Sequence, residues 1–369
     1  MDTALQAISH RHSWLFGEGT KRSLQSGVAR IHRHYVENQH QMRVLIVTNM
    51  WPSAERPELG SFVRDQLEAL QALDDPELEL ECFAFAPGGY AAAARELRRE
   101  YRKQRFDVVH AHFGLTAWPS LVVPAEVHGL TLHGTDIHHR RSRLITHAAL
   151  PLVDLIGAAS PDLAKDVPGY PKRSVEILPC GVATSRFRPL DRQQARASLG
   201  LQSDGRYLLF PADPARAAKR FDRAEAVAKR CNAQLLTLGS IDPEQVPLWI
   251  NASNAVIVPS EREGFGLAVL EALACEVPVC CAPTGIHEAA TRGIDGADCL
   301  AYDELSWSET LAVSLAEPDR RIISRARAEQ FSAERMADRL LAAWRAKLGS
   351  PLDSAAARNE ENLKKPPWD

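Results

Sequence analysis

Residues 255–275 read Ala-Val-Ile-Val-Pro-Ser-Glu-Arg-Glu-Gly-Phe-Gly-Leu-Ala-Val-Leu-Glu-Ala-Leu-Ala-Cys. Ala255–Val258 is a short, wholly apolar run, the pattern of a strand buried on both faces. Residues 265–275 form helix, and between the two lie Gly264 and Gly266, which lack the Cβ that would keep a ligand from the backbone. The amides of Phe265, Gly266 and Leu267 have no intrahelical acceptor at a helix start and can bind a phosphate. Glu263 stands in the loop, and Glu271 eight residues on, two turns into the helix. Two carboxylates beside an anion-binding turn suit a ligand that also carries hydroxyls, because carboxylates accept hydrogen bonds from sugar and ribose hydroxyls. The plainer alternative is an ordinary strand–turn–helix, with Glu263 near the positive helix end and Glu271 on a solvated face.

The same alternation runs outward in both directions. Upstream, strands are expected at 44–48, Leu78–Ala84, 108–111, 127–132, 152–158 and 175–178, with a helix at 61–73 and helical segments between most of the others. The polar stretch 187–205 contains no strand and reads as a linker. Strands then return at 207–211, 234–238, Ala255–Val258 and 277–281, with helices at 220–231, 265–275 and, last, Ala333–Leu348. Strands alternating with helices imply parallel sheets covered on both faces. The expected fold is therefore α/β: two doubly wound, Rossmann-like domains facing a cleft, at 42–188 and 206–332, followed by the helix 333–348. Ligands of such sheets bind beyond the carboxyl ends of the strands.

Residues 1–41 are polar, rich in His and Arg, and aperiodic, so we read them as a disordered extension, or as preceding a true start at Met42; 349–369 is a polar tail. Composition excludes some classes. With 369 residues, 45% apolar and 25% charged, and a net charge of −3, the chain lacks the basic excess of a nucleic-acid binder. Its seven cysteines are odd in number, include no Cys-x-x-Cys pair and mostly sit in apolar runs, the usage of a reducing compartment. No run approaches the roughly 20 apolar residues of a membrane span. A cytoplasmic location is expected.

Other candidates follow strands. His133, in Thr-Leu-His-Gly-Thr-Asp (131–136), ends a strand at the cleft and can hydrogen-bond a sugar; the bland alternative is a loop histidine, with Thr135 or Asp136 capping the next helix. Arg216 and Lys219, in 211–222, lie between a strand and a helix, where cations can neutralise a diphosphate leaving group or simply be solvated. Gly60 follows the first strand and precedes a helix. His110 and His112 alternate on a strand end and read as packing residues, since no third metal ligand is evident.

The Glu-Gly-Phe-Gly-Leu element with a second glutamate at a spacing of eight resembles the E-x7-E signature of retaining glycosyltransferases of family 4, which have the GT-B fold. The resemblance covers roughly 42–348. The opening Thr-Asn-Met-Trp-Pro-Ser and Leu-Gly-Ser-Phe-Val-Arg-Asp-Gln look like the bacterial branch that includes teichuronic-acid glycosyltransferases. It implies that Glu263 positions the donor sugar hydroxyls, that Glu271 holds the ribose, that His133 is the cleft histidine near the sugar and that Gly60 lets the backbone approach the substrates. Lys219 matches the family lysine. Pro214 stands where the family has an arginine, with Arg216 as a displaced substitute, and Glu276 and Thr284 replace common glycines.

The resemblance implies a nucleotide-diphosphate sugar as donor, bound mainly by the C-terminal domain, no other cofactor, and transfer with retention to a sugar, lipid-linked or small-molecule acceptor. No Asp-x-Asp clamp for a metal–diphosphate occurs, so the expectation is metal-independent catalysis, with Lys219, Arg216 and the 265–267 amides meeting the phosphates. Two rivals remain: a nucleotide-sugar epimerase on the same fold, which would isomerise donor alone, and a non-catalytic nucleotide-sugar-binding protein. The basic stretch 95–105 reads either as a merely solvated helix face or as one that touches an anionic membrane surface peripherally.

Overall fold

The computed structural model describes residues 41–53, 56, 59–239 and 241–349. The expectations for 1–40 and for 350–369 lie outside the described residues. The chain divides into two compact units, Met1–Met42 with Pro76–Glu79, and Arg43–Asp75 with Leu80–Asp369. The second unit holds both sheets, apart from the first residue of one strand and the first two of another.

The first sheet comprises β1 (Met42–Thr48), β2 (Leu78–Ala84), β3 (Phe106–His112), β4 (Ala125–Leu132), β5 (Leu155–Ala158) and β6 (Glu176–Ile177), in the order β2-β1-β3-β4-β5-β6. The second comprises β7 (Tyr207–Phe210), β8 (Gln234–Thr237), β9 (Ala255–Val258), β10 (Val279–Cys281) and β11 (Ala297–Cys299), in the order β11-β10-β9-β7-β8. The described registers of both sheets are parallel. Central strands are apolar throughout because helices cover both faces: Val44, Leu45 and Val47, and likewise Ala255, Val256 and Ile257, are fully buried. Strand order reverses between β1 and β3 in the first sheet and between β7 and β9 in the second. At such a reversal neighbouring loops leave in opposite directions and open a crevice beyond the strand ends. The loops after β7 and β9 carry Arg216, Lys219 and Glu263, and the loop after β1 carries Gly60.

Helix α1 (Ser61–Ala72) follows β1, and α2 (Arg140–Ala149) stands between β4 and β5. One feature departs from the sequence pattern. The stretch 187–205 contains helix α3 (Arg192–Ser198), whose arginines Arg192 and Arg196 are each 1% exposed. They are buried because they serve carbonyls: Arg192 Nη1 donates to Pro318 O at 2.9 Å, and Arg196 Nε to Ala252 O at 2.9 Å, the latter at the C-terminus of the helix Val246–Ala252, where carbonyls lack intrahelical donors. A polar segment thus packs as core.

Helix α4 (Leu267–Ala274) is apolar nearly all round and buried, with Val269, Leu270, Ala272 and Leu273 inaccessible. The last helix, α5 (Ala333–Leu348), returns to the first sheet and packs on α1, β4 and β5. Its buried Trp344 donates an Nε1 hydrogen bond of 3.1 Å to His110 Nδ1. No helix among the described residues is long and apolar enough to cross a membrane.

Candidate functional site

The loop after β9 begins at Pro259 and ends at Gly266, the N-cap of α4, whose φ of 117° favours glycine. A Cβ on Gly266 would lie 2.6 Å from the ring of His287, and one on Gly264 would lie 2.0 Å from the carbonyl oxygen of His133. Gly264 therefore lets the two lobes touch: the close approach is made by the His133–Gly134 backbone. Gly60 is comparable, with φ 72° and the carbonyl of Met50 in the space of its missing side chain. Phe265 turns its ring into the core, edge-on to Phe331, and accepts the Ile286 amide at its carbonyl. The amides of Phe265, Gly266 and Leu267 donate to no group among the described residues. These amides are the ones a helix start leaves without an intrahelical acceptor, and Phe265 and Gly266 are buried around them.

Glu263 is held from both sides. Its amide donates to Thr284 Oγ1 at 3.0 Å, so the threonine that replaces a family glycine ties this loop to the next. Its two carboxylate oxygens accept from Lys219 Nζ, each at 2.7 Å. Burial pushes the Glu263 pKa up, but the charge and hydrogen bonds of Lys219, with help from Ser260, outweigh it and hold the carboxyl below its ordinary value. Glu263 is ionised and neutralises the lysine. Lys219 also acts on Glu271, whose carboxylate has no hydrogen-bond partner among the described residues. Burial in α4 raises the Glu271 pKa to about 7, with Arg186 pulling it down and Asp65 pushing it up. Those two side chains are themselves paired, Arg186 Nη2 to Asp65 Oδ2 at 2.6 Å.

His133 enters from β4. Its amide and that of Gly134 donate to the buried carboxylate of Asp136, which also accepts from Gly114, so Asp136 staples the loop. The imidazole is half-buried against Phe62, at 4.8 Å between ring centroids, and Nε2 is hydrogen-bonded to His112 Nδ1 at 3.1 Å. Burial lowers the His133 pKa well below its ordinary value, and the His112 ring adds to that, so the imidazole is neutral. His110 has both ring nitrogens engaged, Nδ1 by Trp344 and Nε2 by Thr131 Oγ1 at 2.8 Å, which leaves no lone pair for a metal.

One cavity of about 770 Å³ joins His133, Gly134, Arg216, Lys219, Glu263 and Gly264. Glu271, Gly60, Phe265, Gly266 and Leu267 lie outside its lining. The sequence reading did not single out Arg140, Arg141 and Arg262, which also line it. The one signal available was the run His138-His139-Arg140-Arg141 opening a helix with no acid beside it. Together the cavity's cations can bind an anion, and Glu263 can accept hydroxyl hydrogen bonds in place of those it accepts from Lys219.

A model of glycosyltransferase family 4 matches residues 24–186, and a model of glycosyl transferases group 1 matches 217–329. A D-inositol 3-phosphate glycosyltransferase of Mycobacterium leprae is 26% identical over 84% of this chain and 85% of its own length. The corresponding protein of Thermobispora bispora is 26% identical over 60% of this chain, which spans 65% of that relative. TuaC of Bacillus subtilis, a glycosyltransferase assigned by its name to teichuronic acid biosynthesis, is 23% identical over 66% of this chain and 82% of its length. Among solved structures, sucrose-phosphate synthase of Thermosynechococcus elongatus superposes with a TM-score of 0.64 at 17% identity, covering 83% of this chain and 99% of that one. Anabaena HepE in complex with UDP-glucose gives 0.60 at 14% identity, covering 83% and 100%. Two transferase domains matched in tandem on two parallel sheets make this chain a glycosyltransferase of GT-B fold.

Proposed function

We propose that the chain transfers a sugar from a nucleotide-diphosphate sugar to an acceptor with retention of configuration and without a metal ion. The observation that carries this reading is the Lys219–Glu263 pair beside unpartnered helix-start amides, with the unpaired Glu271 under the same lysine charge. As donor enters, its diphosphate takes hydrogen bonds from Lys219 Nζ, the amides at 265–267 and Arg216. Glu263, released from the lysine, accepts from the sugar hydroxyls, and Glu271 accepts from the ribose. The neutral His133 gives up its ring contact with His112 Nδ1 or with Cys180 Sγ to hydrogen-bond the sugar, without adding charge.

The bond from the anomeric carbon to the phosphate oxygen breaks toward these cations. The acceptor oxygen bonds to the same carbon on the same face, and its proton passes to the departing phosphate oxygen. Preorganised donors of this kind are worth about 10²–10³ each in rate. The names of two neighbours support the substrates to try first: UDP-glucose for HepE and an inositol phosphate for the mycobacterial relative.

A thermal-shift screen of nucleoside diphosphates and their sugars tests the reading, since a ligand at about 100 times its Kd stabilises by about 2.7 kcal/mol. Absence of any shift across the bases sinks it, and an isomerised donor would favour an epimerase. For hits, the product's anomeric configuration by NMR decides retention, and activity that survives EDTA decides metal independence.

A second partner in this proposal is an anionic membrane. Arg95, Arg98, Arg99, Arg102, Lys103 and Arg105 are all exposed, and Leu97 faces inward. Co-sedimentation with phosphatidylglycerol vesicles that is lost in high salt is the expected result. No co-sedimentation at low salt ends it.

A further inference from the structure

The cavity at the His133 loop holds more positive charge than a diphosphate engages. Arg140, Arg141, Arg216 and Arg262 line it with Lys219, while its one lining carboxylate among the described residues, Glu263, already binds Lys219 through both oxygens. None of the four guanidinium groups has an ion-pair or hydrogen-bond partner among the described residues. By contrast Arg220, on the same loop as Arg216, pairs with Asp222 and with Glu261 at 2.6 Å, and Arg186 pairs with Asp65.

Arg140 and Arg141 are also the first two residues of α2, and its first turn holds no acid. Cations there oppose the helix dipole. Local rules broken without internal compensation mark functional positions. In the reading above, Arg216 and Lys219 serve the donor's diphosphate from the loop after β7. Arg140 and Arg141 come from the opposite lobe, and the charge of Arg262 reaches across to His138 of that lobe.

We propose that Arg140, Arg141 and Arg262 form a second anion subsite, which binds a phosphate or carboxylate borne by the sugar acceptor. The acceptor is then an anionic molecule, and the assignment of this anion to the acceptor rests on the transferase reading above. Guanidinium groups grip either oxyanion through paired N–H donors, and approach from both lobes fixes the acceptor's orientation in the cavity.

Calorimetric titration of the full chain tests this, with the nucleoside diphosphate from the screen held at saturation to fill the donor's phosphate positions. The probes are glucose, glucose 6-phosphate, glucuronate and inorganic phosphate. The expected result is binding of at least one acidic sugar at least about tenfold tighter than glucose, with phosphate competing against it. Arg140→Ala/Arg141→Ala should weaken that binding about tenfold or more while leaving the nucleotide Kd within about twofold. Lys229→Ala/Arg230→Ala, which removes the same charge from an exposed helix end outside the cavity, should change neither. Equal binding of glucose, absence of anion binding, displacement of phosphate by the nucleotide, or an equal loss in the remote variant each overturns the subsite. If no nucleotide binds, the transferase reading fails on its own, and the same titration of the nucleotide-free protein still decides whether the arginines hold an anion.

Discussion

Glu271→Gln should make the ligand-free protein more stable at pH 8 and less able to bind its donor. Burial raises the Glu271 pKa from 4.5 to about 7. A carboxyl whose folded pKa lies above its unfolded one favours the fold fully below the unfolded value and loses that advantage as pH rises through the folded value. The window here runs from about pH 4.5 to about pH 7. One pKa unit corresponds to about 1.4 kcal/mol, so the ionised glutamate costs the fold about 3 kcal/mol at pH 8.

Glutamine has nearly the same shape and no charge to desolvate, and escapes this cost. Scaled to the described residues, the unfolding entropy near 60 °C is about 0.6 kcal/mol per kelvin, so the melting point should rise by about 5 °C. Differential scanning fluorimetry of both proteins from pH 4.5 to 8 makes the measurement, and perturbations common to both cancel in the difference. The variant's advantage should appear at pH 8 and vanish near pH 4.5. In the same tubes donor should stabilise the wild type and hardly the variant, because a hydrogen bond to a charged acceptor is worth about 1.5–3 kcal/mol. A difference that is absent at pH 8, or constant with pH, would refute the argument, since packing does not titrate.

Lys219→Ala leaves the Glu263 carboxylate without its cation and should destabilise by about 2–3 kcal/mol at pH 7, a loss that shrinks below about pH 4.5 as the carboxyl protonates; kcat should fall about 10²–10³-fold. Gly264→Ala sets a Cβ against the His133 carbonyl, 2.0 Å away in the present geometry. It should cost about 1–3 kcal/mol and lower kcat, measured by chemical denaturation and donor hydrolysis. Glu276 has φ 57°, the left-handed backbone for which glycine is suited. Glu276→Gly should therefore raise stability by about 0.5–1 kcal/mol with activity unchanged, and a fall in melting point would show that its side chain compensates the strain.

Several parts of this protein were legible as a string of residues because they depend on neighbours in the chain. The apolar run Ala255–Val258, the glycines after it and the buried helix behind them obey local rules of period and conformation. They place Glu263 and the helix-start amides at a strand end without reference to any tertiary contact. The same locality failed at 187–205, where two arginines are core because carbonyls more than 50 positions away receive them. Strand β11 and the helices Glu304–Ala316 and Arg325–Gln330 are not legible in the sequence, because their polar positions mask the period.

By itself the sequence determined two α/β layers, their glycine turns and which chemistries were at hand: acids, a lysine, a histidine and a helix start. Only the tertiary structure decided that Lys219 neutralises Glu263, that Gly264 accommodates a backbone carbonyl and that Arg140 and Arg141 face Arg216 and Arg262 across one cavity. The physical reason is range. Backbone propensity acts over a few residues, whereas charge, burial and hydrogen-bond partnership act through space between segments that the strand order, not the chain, makes neighbours.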